Sequence, residues 1–162
     1  MTKHGEPAAC FPNRNAYANY PAHPDVILGS VKATILSVDD ERDANELVQF
    51  HLTKAGFNVL MATNGREALE IIRSARPDLV LLDLMLPDLD GFGVCEILRR
   101  DPDTATTPIM ILSAWTTTDS RSLGLEIGAL DFLAKPYSPA ALVERVKRLL
   151  SHRTSRPLQQ AS

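Results

Sequence analysis

The sequence predicts an α/β fold, a three-layer sandwich built on a doubly wound, five-stranded parallel sheet. Two observations predict it. Five short runs between Ala33 and Ala134 are almost continuously apolar, as strands buried on both faces must be. Amphipathic stretches of helical period lie between them, so strand and helix alternate along the chain. Crossovers between parallel strands are right-handed, and five such units fill roughly 120 residues. An eight-stranded closed barrel needs about twice as many.

The first strand is Ala33-Thr34-Ile35-Leu36-Ser37-Val38, stopped by Asp39-Asp40. The helix after it places Leu47, Val48, Leu52 and Ala55 on one face, and Gly56 closes it. A second strand covers about 57–62. The second helix begins after Asn64, turns Ala68, Leu69 and Ile72 inward, and ends before Pro77. Strand three is Asp78-Leu79-Val80-Leu81-Leu82, ending at Asp83, and helix three follows over about 91–100. Strand four, Pro108-Ile109-Met110-Ile111-Leu112, ends at Ser113; helix four spans about 119–127 and stops at Gly128. Strand five runs from Leu130 to Ala134, ahead of Lys135-Pro136, and the last helix occupies about 139–150.

The flanks differ in composition. Residues 1–31 hold Pro7, Pro12, Pro21 and Pro24 interleaved with Asn13, Asn15 and Asn19, keep no regular period, and read as a disordered arm. Residues 32–150 form the domain. Residues 151–162 read as a polar tail or the start of a linker.

Composition excludes several function classes. A formal net charge of -3 gives no electrostatic reason to bind nucleic acid directly. No apolar run is long enough to cross a bilayer, and the N-terminus lacks the apolar core of a secretion signal. Cys10 and Cys95 are too few and too far apart for a disulfide scaffold, and read as free thiols. The expected location is the cytoplasm. His4, His23, His51 and His152 share no ligand spacing, and no chemistry is assigned to them.

In a parallel α/β sheet the working crevice lies beyond the carboxyl ends of the strands. Four of the five predicted strands end there in a polar group: Asp39-Asp40, Asp83, Ser113 and Lys135. The second ends in Ala62-Thr63-Asn64 and offers no ionisable side chain. Carboxylates brought together repel one another and resist ionisation. A hard divalent cation such as Mg²⁺ removes that cost and prefers such oxygen ligands. One carboxylate can then attack phosphorus, while the Lys135 ammonium and the Ser113 hydroxyl hold the incoming oxygens. This set suits phosphoryl transfer.

With these residues in place, the chain resembles the receiver domain of bacterial two-component response regulators, over about residues 32–150. The motifs are Ile35-Leu36-Ser37-Val38-Asp39-Asp40-Glu41, then Leu81-Leu82-Asp83-Leu84-Met85-Leu86-Pro87-Asp88-Leu89-Asp90-Gly91, then Leu112-Ser113-Ala114, then Phe132-Leu133-Ala134-Lys135-Pro136. The resemblance implies a (βα)5, flavodoxin-like receiver fold. It implies that Asp83 accepts a phosphoryl group from a phosphohistidine, on a sensor histidine kinase or a phosphotransfer protein. Asp39, Asp40, Asp83 and the backbone carbonyl of Met85 would hold Mg²⁺. Lys135 would pair with Asp83 and then with the phosphate, Ser113 would move toward the phosphoryl group, and Phe132 would be the switch aromatic. Pro136, commonly cis in this family, and Ala114 would support them. Such a domain is not an enzyme in its own right; it takes up a phosphoryl group and slowly removes it. Met85 and Trp115 occupy the positions that tune that removal, and their bulk suggests a long-lived signal.

The closest resemblance is to receivers of the winged-helix transcription-factor class, which form homodimers through the face of helix four, strand five and helix five. Asp131 and Arg145 match two of its charged positions and could pair there. Leu123, Leu130 and Ala141 stand where that class carries charge, so an apolar contact would replace much of the ionic one. Other classes fit less well. An aspartyl phosphatase of the haloacid-dehalogenase type needs an aspartate where Met85 stands, and a dinucleotide fold needs a Gly-rich first turn. A receiver-like module that binds partners without phosphorylation is the alternative, and intact Asp83 and Lys135 weigh against it.

Overall fold

A computed structural model of the chain describes residues 32–115 and 117–154. The predicted arm over 1–31 and most of the predicted tail lie outside them. The elements are β1 (Thr34–Val38), α1 (Arg42–Lys54), β2 (Asn58–Ala62), α2 (Gly65–Ala75), β3 (Leu79–Leu82), α3 (Gly91–Arg100), β4 (Ile109–Ser113), α4 (Thr118–Glu126), β5 (Asp131–Ala134) and α5 (Pro139–Thr154). All strand pairs are parallel, in the order β2-β1-β3-β4-β5, which is the doubly wound sheet expected. The last helix runs to Thr154, past the boundary expected at 150.

The continuous apolar runs have a simple cause. Leu36, Val38, Val80 and Leu82 face one side of the sheet, where they pack with Ala68, Leu69 and Ile72 of α2 and Val94, Cys95 and Leu98 of α3. Their neighbours Ile35, Leu79 and Leu81 face the other side, against Val48 and Leu52 of α1 and Leu142 and Val146 of α5. Both faces are covered, so no strand position can be polar without a partner.

Local chemistry sets the helix ends. The side chains of Asn64, Asp90 and Thr117 accept hydrogen bonds from the backbone N–H groups of Glu67, Gly93 and Ser120, capping α2, α3 and α4. Ser138 accepts from the Ala141 N–H just ahead of Pro139, which starts α5. Gly56 and Gly128, at φ +99° and +90°, end α1 and α4 in the left-handed conformation that glycine adopts without strain.

One expected core residue faces the other way. Leu47 is 55% exposed. The buried stripe of α1 is Asn45, Val48 and Leu52, and one residue of helix turns Leu47 by about 100° away from Val48. It instead borders a groove of about 460 Å³ beside Ala114, Lys135, Pro136 and Tyr137.

α4 is held differently from the other helices. Among its described side chains only Ser120 is buried, along with the bare backbone of Gly124. A Cβ on Gly124 would lie 2.7 Å from Ile111 Cδ1, so this glycine lets α4 approach the sheet. Just beyond α4, Arg99 of α3 donates to the carbonyls of Ile127 and Gly128, and also to those of Ala105 and Thr107.

Cys95 is fully buried, and burial pushes its thiol up to about 11. In a Cys10→Ser background, Cys95 should therefore resist Ellman's reagent at about pH 8 in the folded chain and react fully once guanidinium unfolds it.

Candidate functional site

The register of the sheet builds the site. Val38 pairs with Leu82, so Asp39 and Asp83 leave adjacent strands side by side. The Asp39 N–H donates to the Ala62 carbonyl at 3.1 Å and the Asp83 N–H to the Val38 carbonyl at 3.0 Å, extending the ladder by one residue. β1 lies between β2 and β3, where the strand order reverses, and this is the crevice of doubly wound sheets.

Carboxylate oxygens of Asp39, Asp40 and Asp83 lie within 4.8 Å of one another, with Asp39 and Asp83 buried and Asp40 exposed. Lys135 Nζ donates to Asp39 Oδ2 at 2.6 Å and to Asp83 Oδ2 at 2.8 Å. Burial alone would lower the pKa of this ammonium. Its hydrogen bonds and charge pairing with both acids outweigh that, and the net shift is upward. The remaining oxygens are also held: Asp39 Oδ1 accepts from the Glu41 N–H and Asp83 Oδ1 from the Met85 N–H, both at 2.9 Å. The Lys135–Pro136 peptide bond is cis.

The loop after β3 folds tightly over the acids. The Gly91 N–H donates to the Leu84 carbonyl, and a Cβ on Gly91 would stand 2.5 Å from the Asp83 carbonyl oxygen. Only a glycine lets α3 begin this close to Asp83. Asp88 takes φ +63° in the same loop, and Asp90 caps α3, so these two acids shape the loop.

The other predicted residues occupy distinct places. Ser113 is fully buried at the end of β4, and its Oγ accepts from the Trp115 N–H at 3.1 Å. The Lys135 N–H bonds the Ser113 carbonyl, tying the ends of β4 and β5 together. Phe132 is buried in the core on the α2–α3 side, near Gly124 of α4. Ala114 and Met85 are exposed. The Trp115 ring, also exposed, meets Phe92 of α3 edge to face at 5.9 Å, and its carbonyl accepts from Ser120 Oγ. On the face of α4, β5 and α5, Leu123 and Leu130 are 43% and 54% exposed and Ala141 is half-buried. Arg145 and Arg148 bind Asp131 within the chain, at 2.7 and 3.3 Å. The sequence reading missed Asn45 of α1, whose amide reaches the carbonyls of Asp39 and Ala62. A polar residue in register with Val48 and Leu52 was the available signal.

The family model described as the response regulator receiver domain matches residues 35–147. The chain belongs to this family. The receiver is 40% identical over 135 residues to the DNA-binding response regulator MtrA of Mycobacterium tuberculosis, covering 83% of this chain and 58% of that protein. It is 45% identical over 119 residues to ycf27 of Porphyra purpurea, named a probable transcriptional regulator, covering 74% of this chain and 48% of the relative. Among solved structures it resembles the chemotaxis protein CheY4 of Vibrio cholerae, with a TM-score of 0.69 and 33% identity over 74% of this chain and 99% of that one. The receiver domain of Francisella response regulator 1452 gives 0.71 and 32%, over 75% and 99%. The chain spans about half the length of the curated relatives it matches. Among the described residues no helix is long and apolar enough to cross a membrane.

Removing the shared cation exposes what it does. In EDTA, Lys135→Met should lower the unfolding free energy by about 2–4 kcal/mol, because two largely buried carboxylates lose their counter-charge. The folded pKa of Lys135 lies above its unfolded value, so this contribution is complete below about 10.4 and fades as pH rises beyond it. Urea denaturation should give a gap between parent and variant that is flat from about pH 7 to 9 and narrows above the ordinary lysine value.

Proposed function

We propose that this receiver takes a phosphoryl group onto Asp83 from a phosphohistidine on a sensor histidine kinase or phosphotransfer protein. An Asp83 oxygen attacks phosphorus, an acyl phosphate forms, and the P–N bond breaks as the histidine nitrogen leaves with its electron pair and takes up a proton. The observation that carries this reading is Lys135 bridging Asp83 and Asp39 across the ends of two neighbouring strands. A lysine so placed offsets the charge of the acceptor and then meets the phosphoryl oxygens.

Asp39, Asp40 and Asp83, with the Met85 carbonyl, would hold Mg²⁺. The donor set fits a hard cation, because three carboxylates cluster there and the Lys135 ammonium meets only two of them. When bound, the ion offsets the charge of the acids and of the phosphoryl oxygens. The Ser113 hydroxyl then donates to a phosphoryl oxygen, and its shift toward that oxygen draws Oγ away from the Trp115 N–H, which frees the β4–α4 loop to move. Phe132 and the face of α4, β5 and α5 pass the change to an output domain or partner. A homodimer on that face would rest on Leu123 and Leu130 with Ala141, because Asp131 and Arg145 already pair within one chain. Direct nucleic-acid binding by this segment is not part of the reading.

Intact mass after incubation with Mg²⁺ and acetyl phosphate tests the acceptor. The parent should gain a labile adduct of about 80 Da, one phosphoryl group, and Asp83→Asn should gain none. No adduct on a parent that binds Mg²⁺ would leave a module that works by binding alone. The decay of the adduct tests Met85 and Trp115: replacing both, by Asn and Ala, should shorten its lifetime several-fold by admitting water. An unchanged lifetime would remove their shielding role.

A further inference from the structure

Asn45 lies on the buried stripe of α1 with Val48 and Leu52, where helix packing asks for an apolar side chain. It is only 2% exposed. Its Nδ2 donates to the Ala62 carbonyl at 2.9 Å and to the Asp39 carbonyl at 3.3 Å. Among the described residues its Oδ1 has no hydrogen-bond partner, although it is buried. Turning the amide over would aim Oδ1 at two carbonyl oxygens, so the orientation is fixed by what Nδ2 holds. Asparagine is also a weak helix former. A buried polar group kept at these costs serves something other than packing.

What it holds is the peptide between the two acids at the end of β1. The Asp39 N–H already bonds the Ala62 carbonyl, and Asn45 adds a second tie on the far side of the same residue, at its carbonyl. Asp39's carboxylate is secured separately, by Glu41 N–H and by Lys135. Asp40 is exposed, and among the described residues no hydrogen bond or ion pair holds its carboxylate. The direction of that side chain therefore depends on the backbone that Asn45 secures.

We propose that Asn45 is a positioning residue for cation binding: its amide fixes the Asp39–Asp40 peptide so that Asp40's carboxylate stands beside those of Asp39 and Asp83. The inference rests on the reading that these acids hold Mg²⁺. That ion demands near-octahedral geometry, so a small error in the direction of one ligand weakens binding.

The test is calorimetric titration of the full chain with Mg²⁺, for the parent, Asn45→Leu and Asn45→Ser. Leu suits the apolar stripe and removes the unpartnered oxygen, so the variant should keep the parent's thermal midpoint while its Mg²⁺ dissociation constant rises roughly tenfold or more. Asn45→Ser, smaller than the parent residue, covers the case in which Leu does not fold, and should weaken binding in the same direction. Raising Mg²⁺ should restore uptake of phosphate from acetyl phosphate. An affinity equal to the parent's, with or without a lower thermal midpoint, would make Asn45 a packing residue and overturn the inference alone. A parent that takes up no Mg²⁺ would overturn both the inference and the cation site beneath it.

Discussion

Negative charge gathered at one point is the constraint on which this molecule turns. Three carboxylates within 4.8 Å resist being brought together, and two of them are buried. A single ammonium, from a strand three positions across the sheet from β1, meets two of them at once. The register of β1 and β3, the ladder bonds beyond their ends and the turn after β5 all serve to hold this arrangement. Without them the acids would separate and hydrate, which is the lower-energy state for isolated carboxylates.

Most of the fold was legible because it is written in two periods that do not resemble each other. Strands covered on both faces leave few polar positions, whereas the helices alternate at their own spacing. The acids could be read for a related reason. Asp39, Asp83 and Lys135 each follow an apolar run directly, and in a parallel sheet such positions collect at one edge. What escaped was orientation within a helix. Leu47 and Val48 are neighbours in sequence and both apolar, yet only Val48 faces the core, and nothing in the residue types separates them.

Polar side chains that bind backbone were the least legible. Asn45 and Arg99 resemble ordinary helix residues until their partners are known. Those partners are carbonyls that every residue carries, so sequence offers no complementary residue to match. Asp131 is a related case. Its type marks a charged position, but its pairing with Arg145 and Arg148 depends on α5 lying over β5. For such groups the sequence supplies the donor or the charge, and only the packing of elements supplies the partner.

Gly91 has a mechanical meaning beyond space-filling. Where it meets the Asp83 carbonyl, helix and strand end touch main chain to main chain, with no side chain between them. A side chain at that point would act as a joint, able to change rotamer and absorb a displacement. The bare contact has no such slack. Between α3 and the residue bearing the Asp83 carboxylate there is therefore no side chain to take up a displacement of either.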